Sequence, residues 1–405
     1  MTKEVKNVPD LRFPGFENTW ETKKLHQIVD VKDGTHESPK PTDDGYLLVT
    51  SKNLKNSTLD FSESYSISKE DYEDINKRSK VEIGDILFGM IGTIGNPILL
   101  EKDGFAIKNV ALLKTSSLQE REYILNFLKS NSITKQFYKL NVGGTQKFIS
   151  LRSIRDLKID IPSSEEAIKI GGFFNKLDQQ IELEEKKLEL LEQQKRGYMQ
   201  DIFSLKLRFK DNNGNDYPEW EEKKLEDLAD IVRGASPRPI KDSKWFDSTS
   251  EVGWLRISDV TNQNGKIYNL EQRLSLEGQL KTRVIASPHL LLSIAASVGK
   301  PVINFVKTGV HDGFLIFLNP KFNLIFMYNW LEMFKPKWQK YGQPGSQVNL
   351  NSELVKSQII TIPNYYEQQK IGDFFNKLDE IINNQSKKIN TLKLRKQGFL
   401  QKIFV

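Results

Sequence analysis

The sequence predicts an α/β (α+β) protein with two globular domains in tandem repeat, separated by two long antiparallel coiled-coil helices and related by pseudo-twofold symmetry. Three observations support this prediction. A ten-residue segment occurs twice, each copy opens a stretch with heptad-spaced apolar residues, and each stretch follows a region of mixed strand and helix patterns. Repetition of this kind indicates a duplicated structural unit.

The ten-residue segment marks the duplication most clearly. KIGGFFNKLD at 169–178 returns 201 residues later as KIGDFFNKLD at 370–379. The beginning of each repeated unit is also duplicated. Leu-Arg-Phe occurs at 11–13 and at 207–209, followed each time by Trp-Glu and Lys-Lys-Leu. These landmarks divide the chain into four parts, namely domain 1 at 1–162, a first long helix at 163–204, domain 2 at 205–363 and a second long helix at 364–405.

Each domain is predicted to contain the same elements in the same order. A short strand of β-branched and aromatic residues that runs into a polar turn comes first. An apolar hairpin with a small-residue turn, an amphipathic helix and an alternating strand closed by proline follow. In domain 1 these elements are Tyr46–Leu54, Val81–Pro97, Glu120–Leu140 and Leu157–Ile161. In domain 2 they are Gly253–Val260, Val284–Pro301, Asn323–Tyr341 and Gln358–Ile362.

The two long helices carry an a/d pattern, which is typical of helices that pack along one seam. The seam residues are Ile170, Phe174, Leu177, Ile181, Leu188, Leu191, Tyr198 and Ile202 in the first helix, and Ile371, Phe375, Leu378, Ile382, Ile389, Leu392, Phe399 and Ile403 in the second. Polar residues interrupt it at matching places, Glu184 and Gln385, Lys195 and Lys396. Such helices could form a domain core, a homodimer or an internal pair; the duplication favours an internal antiparallel pair holding the two domains at opposite ends.

Composition narrows the class of protein. The chain has no cysteine, which excludes disulfides and thiolate zinc sites, and its four histidines lack metal-ligand spacing. No signal peptide or membrane-spanning segment is evident, so we expect a cytoplasmic protein without membrane contact. A net charge of +6 makes nucleic acid a plausible partner.

Motifs for catalysis are missing from the sequence. It contains neither a Gly-x-x-x-x-Gly-Lys-Ser/Thr phosphate loop nor the Asn/Asp-Pro-Pro-aromatic segment of an amino-methyltransferase. The Ser287-Pro288-His289 run has no partner arrangement for nucleophilic catalysis. These absences are consistent with a chain that is not an enzyme and that binds no metal or cofactor.

The layout resembles the HsdS family, the specificity subunits of type I restriction–modification systems. The resemblance spans the chain and is carried by LRFPGF at 11–16, by Trp with Lys-Lys-Leu at 20–25 and 220–225, by the loop, strand and proline at 144–162 and 345–363, and above all by the repeated KIG-FFNKLD region at 161–181 and 362–382.

The resemblance implies that each globular part is a target recognition domain, which binds one half of a bipartite, asymmetric site in double-stranded DNA. The helices would separate these domains and dock two modification subunits, which methylate adenine at N6 with S-adenosylmethionine; Asn175, Lys176 and Gln179 are candidate docking residues. Two restriction subunits would add ATP- and Mg²⁺-dependent translocation and cleavage. The chain would direct these activities without performing them.

Candidate DNA contacts are loop residues at which the two copies share a frame but differ in side chain, because cations and amides suit phosphates and base edges. In domain 1 they are Lys32, Thr35, His36, Lys52, Asn53, Thr93, Thr145, Gln146 and Lys147. In domain 2 they are Arg233, Ser236, Arg238, Arg256, Ser258, Ser297, Lys300, Ser346, Gln347 and Asn349. Each could instead be a solvated loop residue or a turn cap. Gln146 and Gln347 occur in both copies, which favours phosphate positioning over discrimination between half-sites.

Two other classes of function stay open at this point. The chain could be a self-contained DNA methyltransferase or nuclease on a duplicated scaffold. It could also be a coiled-coil assembly module whose globular domains bind protein. The target bases and the spacer between half-sites cannot be deduced from the sequence, because base recognition depends on side-chain placement.

Overall fold

A computed structural model describes residues 8–55, 58–92, 94–115, 118–140, 148–295, 298–338 and 350–404. The chain divides into two compact units. Unit 1 comprises residues 1–185 and 387–405, and unit 2 comprises residues 186–386. Each unit therefore contains one globular domain, part of the long helix that follows this domain, and part of the other long helix.

The strands of unit 1 are β1 (Glu21–Lys24), β2 (Asp30–Asp33), β3 (Tyr46–Thr50), β4 (Leu54–Lys55), β5 (Thr58–Leu59), β6 (Tyr65–Ile67), β7 (Ile86–Gly89), β8 (Gly95–Leu99), β9 (Ala106–Lys108), β10 (Val110–Lys114) and β11 (Lys158–Ile161). Its helices are α1 (Lys69–Ser79), α2 (Leu118–Leu128), α3 (Asn131–Leu140), α4 (Leu151–Arg155) and the start of α5 (Ser164–Phe203). The strands form an antiparallel sheet β2-β10-β7-β8, a sheet β6-β3-β9 and two ribbons, β1-β11 and β4-β5.

The strands of unit 2 are β12 (Glu221–Lys224), β13 (Asp230–Arg233), β14 (Gly253–Trp254), β15 (Lys266–Ile267), β16 (Arg283–Ile285), β17 (His289–Ser293), β18 (Pro301–Asn304), β19 (Thr308–Val310), β20 (Phe314–Leu318) and β21 (Ile359–Ile362). Its helices are α6 (Leu225–Leu228), α7 (Ile257–Asn262), α8 (Leu276–Leu280), α9 (Leu324–Trp338), α10 (Ser352–Lys356) and part of α11 (Tyr365–Ile403). The sheets are β13-β20-β17-β18-β15, β14-β19-β16 and the ribbon β12-β21.

The two units have corresponding topology. The ribbon β1-β11 pairs Glu21 with Ile161, and β12-β21 pairs Glu221 with Ile362 in the same register. The strand after each ribbon, β2 or β13, lies at the edge of the larger sheet, and β3 or β14 runs parallel to β9 or β19. The mixed α/β fold of the two tandem domains thus agrees with the prediction.

Each unit has its own hydrophobic core, which includes the ends of both long helices. In unit 1, Phe174 of α5 and Phe404, just after α11, stack with ring centroids 5.8 Å apart and pack against the α2 residues Tyr123 and Phe127. In unit 2, Phe203 at the end of α5 stacks on Phe375 of α11 at 6.1 Å. Burial of large aromatic side chains at these junctions ties the helices to the domains.

Within each unit, the segments of α5 and α11 run antiparallel. In unit 1, Asp178 pairs with Lys396 at 2.5 Å and Glu184 pairs with Lys388 at 2.5 Å. In unit 2, the matching Asp379 binds Lys195 at 2.5 Å. In both units, therefore, a lysine from the long helix of one copy binds an aspartate from the long helix of the other copy. The aspartate is the last residue of each repeated segment, so that segment supplies the carboxylate of each aspartate–lysine pair.

A buried glutamate explains why the flanking motifs occur in both copies. Glu166 in the first turn of α5 accepts two hydrogen bonds from Arg12, each 2.7 Å long, and one from the indole of Trp20 at 3.1 Å. In unit 2, Glu367 accepts from Arg208 and Trp220 in the same way. The Leu-Arg-Phe and Trp motifs are therefore the two sides of a clamp on the first turn of a long helix. We call each set of three residues a glutamate clamp.

The Leu-Arg-Phe segments also lie against the end of a long helix. The main-chain N–H of Leu207 donates to the carbonyl of Asp201 in α5 at 3.1 Å. In unit 1, the N–H of Leu11 donates to Lys402 in α11, also at 3.1 Å. In unit 2 the segment follows its helix directly in the chain, whereas in unit 1 the same bond joins residues far apart in sequence.

Two element predictions were wrong in part. The segment Gly253–Val260, predicted as a strand that runs into a polar turn, is a strand only to Trp254. Helix α7 takes the place of the turn and begins at Ile257, because Asp259 caps it by accepting from the N–H of Arg256 at 2.9 Å. The single helix predicted over 120–140 is two helices, because the chain turns at Lys129 and Ser130. At the start of α7, local capping competed with the strand pattern.

Candidate nucleic-acid interface

Four loops of unit 1 meet on one surface, which we call loop cluster 1 (residues 33–38, 51–53, 90–91 and 108–109). They follow β2, β3 and β7 and join β9 to β10. The N–H of Thr35 donates to the carbonyl of Ile107 at 3.0 Å, and the N–H of Asn109 donates back to Thr35 at 3.1 Å. These bonds fasten the first loop to the β9–β10 turn.

His36 is held at the surface of loop cluster 1 by two polar partners. Its Nε2 lies 3.0 Å from a carboxylate oxygen of Asp33, and its Nδ1 lies 2.8 Å from the amide oxygen of Asn109. Asp33 also forms an ion pair with Arg78 of α1. The buried Asp33 carboxylate thus collects two side chains that are more than half exposed.

Ser51 joins the remaining loops of loop cluster 1. Its hydroxyl donates to the carbonyl of Asn109 at 3.0 Å and accepts from the N–H groups of Met90 and Ile91 at 3.3 and 3.5 Å. The neighbouring Lys52 is exposed. One hydroxyl therefore sets the position of an exposed cation beside the β9–β10 and β7–β8 turns.

The same four segments meet in unit 2, as loop cluster 2 (residues 233–238, 254–259, 294–295 and 311–313), in which residues 257–259 form the first turn of α7. The N–H of Ala235 donates to Val310 at 3.0 Å, matching the bond from Thr35 to Ile107. The N–H of Ile294 donates to Gly313 at 2.8 Å and so brings in the loop after β17. The two units therefore build the corresponding surface from corresponding loops.

A glycine at the same place in each unit permits this close approach. A Cβ atom on Gly34 would lie 2.1 Å from the carbonyl oxygen of Ile107, and one on Gly234 would lie 2.2 Å from that of His311. Either contact is shorter than a carbon and an oxygen tolerate, so a side chain here would push the two loops apart.

Asp312 is the central acceptor of loop cluster 2. Its carboxylate accepts from the hydroxyl of Ser236 at 2.9 Å and from Nη2 of Arg238 at 2.6 Å, while its main-chain oxygen accepts from Nε of Arg233 at 2.6 Å. Burial raises the pKa of Asp312, but the Ser236 hydrogen bond and the nearby cations outweigh it and hold the pKa below 3.8. The carboxylate is therefore ionised at neutral pH.

His311 contributes to a small pocket beside Asp312. Burial lowers the pKa of the His311 imidazole despite the neighbouring carboxylate, so the ring is neutral at pH 7. Its ring lies 5.5 Å from that of Trp254, and both line a pocket of about 270 Å³ with Phe246 and Arg256. Loop cluster 2 thus combines an apolar concavity with a charged rim.

The structure places several predicted contacts in these clusters. Thr35, His36 and Lys52 lie in loop cluster 1, and Lys32 in β2 directly precedes it. Loop cluster 2 contains Arg233, Ser236, Arg238, Arg256 and Ser258. Thr93, Thr145, Gln146, Lys147, Ser297, Ser346, Gln347 and Asn349 lie outside the described residues.

Two predicted contacts, Asn53 and Lys300, are turned away from the surface of the loop clusters. Asn53 is only 1% exposed, and its amide accepts from Thr50 and donates to Asp60 and Ser64, so it shapes a loop and is not presented to a ligand. Lys300 turns inward to an ion pair with Glu332 and a 3.2 Å bond to Asn264, away from loop cluster 2. In both cases the side chain hydrogen-bonds to groups of its own unit. The loop sequence alone does not reveal these partners.

Sequence reasoning missed seven residues whose side chains build the clusters. Two of them, Asp33 and Ser51, hold the segments of loop cluster 1 together. Arg78, Lys108 and Asn109 belong to loop cluster 1 or its rim, and His311 and Asp312 belong to loop cluster 2. The Asp312-Gly313 pair is a turn signal that the comparison of the two copies could have used. Arg78 gave no local signal, because only the tertiary fold brings α1 to Asp33.

Among the described residues, no cluster of three or more histidine, aspartate or glutamate side chains is suited to a metal ion. No helix in the described part of the chain has both the length and the apolar character needed to cross a membrane.

The polar groups that converge in the clusters are hydrogen-bond donors and acceptors with exposed cations. This chemistry suits recognition of a polyanion with patterned acceptors.

The fold and the twin loop clusters define a class: tandem-domain proteins with the same surface built twice from different side chains. The model of the family described as "Type I restriction modification DNA specificity domain" matches residues 17–193 and 217–394. The chain belongs to this family. The two matched ranges correspond to the two copies of the duplication.

Two relatives are similar to this chain over most of its length. The chain is 25% identical over 389 residues to the "putative type I restriction enzyme MjaX specificity subunit" of Methanocaldococcus jannaschii, covering 90% of this chain and 87% of the relative. It is 24% identical to the MjaVIII specificity subunit of the same organism, covering 76% and 75%.

The fold also resembles that of solved structures. A crystal structure of the type I restriction–modification S subunit from M. genitalium superposes with a TM-score of 0.57 at 15% identity, covering 98% of this chain and 99% of that one. A second structure, from a study of complex assembly and conformational transition of the type I system, gives 0.63 at 14% identity and covers 96% and 98%.

Proposed function

We propose that this chain is the DNA-specificity subunit of a type I restriction–modification complex. In this proposal each unit binds one half of a bipartite, asymmetric target in double-stranded DNA through its loop cluster. Family membership supports the general role, and the loop clusters supply the surfaces.

One observation carries the proposal. The same four loops converge in both units, but they present different side chains: His36 with Asn109 in loop cluster 1, and Arg238 with Asp312 in loop cluster 2. A shared scaffold with different donors and acceptors is what recognition of two different half-sites requires, because base edges differ in their pattern of donors and acceptors. A protein that bound one symmetric site would need matching side chains in the two clusters.

The exposed cations of the clusters suit contacts with the phosphates of DNA. Lys52 and the rim residue Arg78 are exposed, and phosphate contacts from cations supply affinity without sequence preference. Binding should therefore weaken steeply with salt, whereas the preference for particular bases should depend on the residues held by Asp33 and Asp312.

The chain acts in this proposal through partner subunits. Two modification subunits with S-adenosylmethionine would methylate adenine at N6, and two restriction subunits with ATP and Mg²⁺ would translocate and cleave DNA. The chain itself would be non-catalytic. We place the docking of modification subunits on the outer faces of the long helices, where Lys176 and Gln179 are exposed next to the buried seam. Asn175, the third candidate, is half-buried and donates to Glu122 of α2 at 3.2 Å, so it holds the helix against its own unit.

Mapping of N6-methyladenine across a host genome tests the proposal directly. The modification subunits of the same system are expressed with the chain, without it, and with a version in which both loop clusters carry alanine substitutions. We expect a bipartite methylated motif only in the presence of the unaltered chain. The same motif without the chain, or no motif with it, would contradict the proposal.

A methylation and cleavage assay with the purified chain alone separates the rival enzyme hypothesis. We expect no incorporation of labelled methyl groups and no nicking of plasmid DNA at any salt concentration tested. Activity of the isolated chain would favour a self-contained methyltransferase or nuclease. Salt-dependent, sequence-selective DNA binding by the reconstituted complex would argue against a pure assembly module.

A further inference from the structure

We propose that Arg238 recognises a guanine in the half-site bound by unit 2, and that Asp312 is the positioning residue that aims it. This inference rests on the proposed function and adds to it one reader residue, one base and one half-site. It follows from comparing the arginines of loop cluster 2 and the acceptors that hold them.

Arg256 is occupied by protein acceptors. Its Nε and Nη2 bind the two oxygens of Asp259 at 3.0 and 2.8 Å, and Glu271 lies 3.5 Å from Nη2. Asp259 is buried and also caps α7, so releasing Arg256 would leave a buried carboxylate without its cation. Arg256 therefore stabilises the loop and is not free to contact a base.

Arg233 has a different structural task. Its Nε donates to the main-chain oxygen of Asp312 at 2.6 Å and so ties the end of β13 to the β19–β20 turn. Arg238, in contrast, donates through Nη2 to a side-chain oxygen of Asp312 at 2.6 Å and is 70% exposed. Among the described residues, Asp312 is the only hydrogen-bond acceptor of Arg238.

The position of Arg238 is defined by a chain of short contacts. Ser236 donates to one oxygen of Asp312 and accepts from the Asp312 main-chain N–H at 3.1 Å, which fixes the carboxylate. The other oxygen binds Nη2, and a charge-assisted bond of this kind orients the planar guanidinium strongly. The remaining N–H groups stay available at the surface.

Guanine is the base that this arrangement suits best. In the major groove it presents two acceptors, N7 and O6, and a guanidinium donating to both makes the commonest base-specific contact in protein–DNA complexes. Positioning by a carboxylate reduces the rotamer freedom that Arg238 would lose on binding. Adenine, with one acceptor and one donor there, would receive only one of the two bonds.

Unit 1 lacks this pair at the corresponding place. Matching the bonds from Thr35 and Ala235 puts Asn109 where unit 2 has Asp312, and matching those from Gly34 and Gly234 puts Lys108 there, because the unit 2 turn is one residue longer. Neither match gives unit 1 a carboxylate at this place. Lys40 follows the Ser-Pro of unit 1, as Arg238 follows that of unit 2. A neutral amide cannot hold a cation as a carboxylate does, so the guanine contact should occur in one half-site only.

The test measures the affinity of the complex, assembled with its modification subunits, for a set of DNA duplexes. Each base pair of both half-sites is varied in turn. Arg238→Gln should reduce the preference for guanine at one position of one half-site by roughly 10- to 100-fold. All other positions should keep their preferences. Arg283→Gln, which removes the same charge from exposed β16 of the same unit, should leave every position unchanged.

Asp312→Asn tests the positioning role, because it keeps the shape and removes the charge. It should weaken the guanine preference at the same position, and it should have no further effect on that preference in the Arg238→Gln background. A purely structural role for Asp312 would instead lower thermal stability, weaken binding to all sequences equally, and add to the effect of Arg238→Gln.

Two results would overturn the inference. One is an unchanged base preference in Arg238→Gln; the other is an equal loss of affinity for all duplexes with a smaller salt dependence, which would identify a phosphate contact. A wild-type complex with no base preference at any position would contradict the proposed function itself. The two failures are therefore distinguishable in one set of measurements.

Discussion

The glutamate clamps show how single residues join the repeated motifs. Glu166 and Glu367 are fully buried, yet each has an arginine and a tryptophan indole as partners. A buried carboxylate is tolerated when it is paired and hydrogen-bonded. The clamps therefore join the lead-in of each repeat to the first turn of its long helix, at a helix N-terminus that also favours negative charge.

We predict that Glu166→Gln destabilises unit 1 by about 3 kcal/mol, the lower end of the range for breaking a buried ion pair, because Arg12 keeps some solvent contact. Native-state hydrogen exchange should show faster opening of β1, β11 and the start of α5. The matched control is Glu165→Gln, an exposed neighbour in the same helical turn, which should change exchange little. Equal effects of the two variants would refute the role of the clamp.

Asp379 provides a prediction for pH. Burial raises its pKa, but the ion pairs and hydrogen bonds with Lys195 and Lys266 outweigh burial and lower the pKa below 3.8. A pKa that is lower in the folded state stabilises the fold at pH values above the unfolded pKa, and this contribution is lost as the pH falls through the folded pKa. Its loss therefore belongs below about pH 3.8.

Urea unfolding of the wild type and of Asp379→Asn between pH 7 and pH 2 tests this. We expect the wild type to be the more stable at pH 5–7 by a constant margin, and the margin to shrink as the pH falls below 3.8. The variant has no carboxyl group to titrate at this position. A margin independent of pH over the whole range would mean that the ion pairs contribute nothing.

Among the elements, the long helices follow their sequence pattern closely. Phe174 and Phe375 are fully buried, and most other seam residues are buried or half-buried. The polar interruptions take part in the packing: Lys195 and Lys396 bind the aspartates of the repeated segments, and Glu184 binds Lys388. Charged pairs within an apolar seam favour one alignment of the helices over shifted alignments, in which the charges would be buried without partners.

We predict that Phe174→Ala and Phe375→Ala each cost 3–5 kcal/mol, about the range for truncating a buried phenylalanine. Leu183→Ala and Leu190→Ala, on the same helix as Phe174, should change stability by less than about 0.5 kcal/mol because both leucines are largely exposed. Denaturant unfolding followed by circular dichroism at 222 nm measures the difference. A large loss at Leu183 or Leu190 would show that the buried face has been assigned wrongly.

Short elements were harder to predict than long ones. A heptad pattern sustained over the length of α5 leaves few alternatives, whereas Gly253–Val260 satisfied a strand pattern and still begins α7 at Ile257. Here one capping carboxylate, Asp259, outweighed β propensity. The break between α2 and α3 was also not predicted, because a turn of two residues interrupts an amphipathic pattern without changing it.

For the whole molecule, the duplication has a direct functional consequence. The globular part of each unit has a separate core and is closed by its own ribbon, β1-β11 or β12-β21. Replacement of residues 21–161 by the equivalent part of another family member leaves Arg12, Glu166 and the two long helices, α5 and α11, unchanged. Trp20, just outside the exchanged part, also remains, so the glutamate clamp is preserved.

We predict that this replacement changes one half of the methylated motif and leaves the other half unchanged, because only loop cluster 1 is exchanged. Genome-wide mapping of N6-methyladenine measures both halves at once. The reciprocal replacement of residues 221–362 serves as the control and should change the other half only. A change in both halves after either replacement would show that the two recognition surfaces are not independent.

The sequence alone determined the duplication, the mixed α/β class and the two long helices, because these depend on repetition and periodicity that local residues carry. The tertiary structure decided which loop residues are available to a ligand. Asn53 and Lys300 are polar loop residues by sequence, but the fold supplies internal partners for both. Arg238 and Asp312 are distant in sequence and become a pair only where β13 meets the β19–β20 turn. The physical reason is that periodic burial depends on the spacing of apolar residues within one segment. Hydrogen-bond partners, in contrast, depend on how distant segments of the unit pack together.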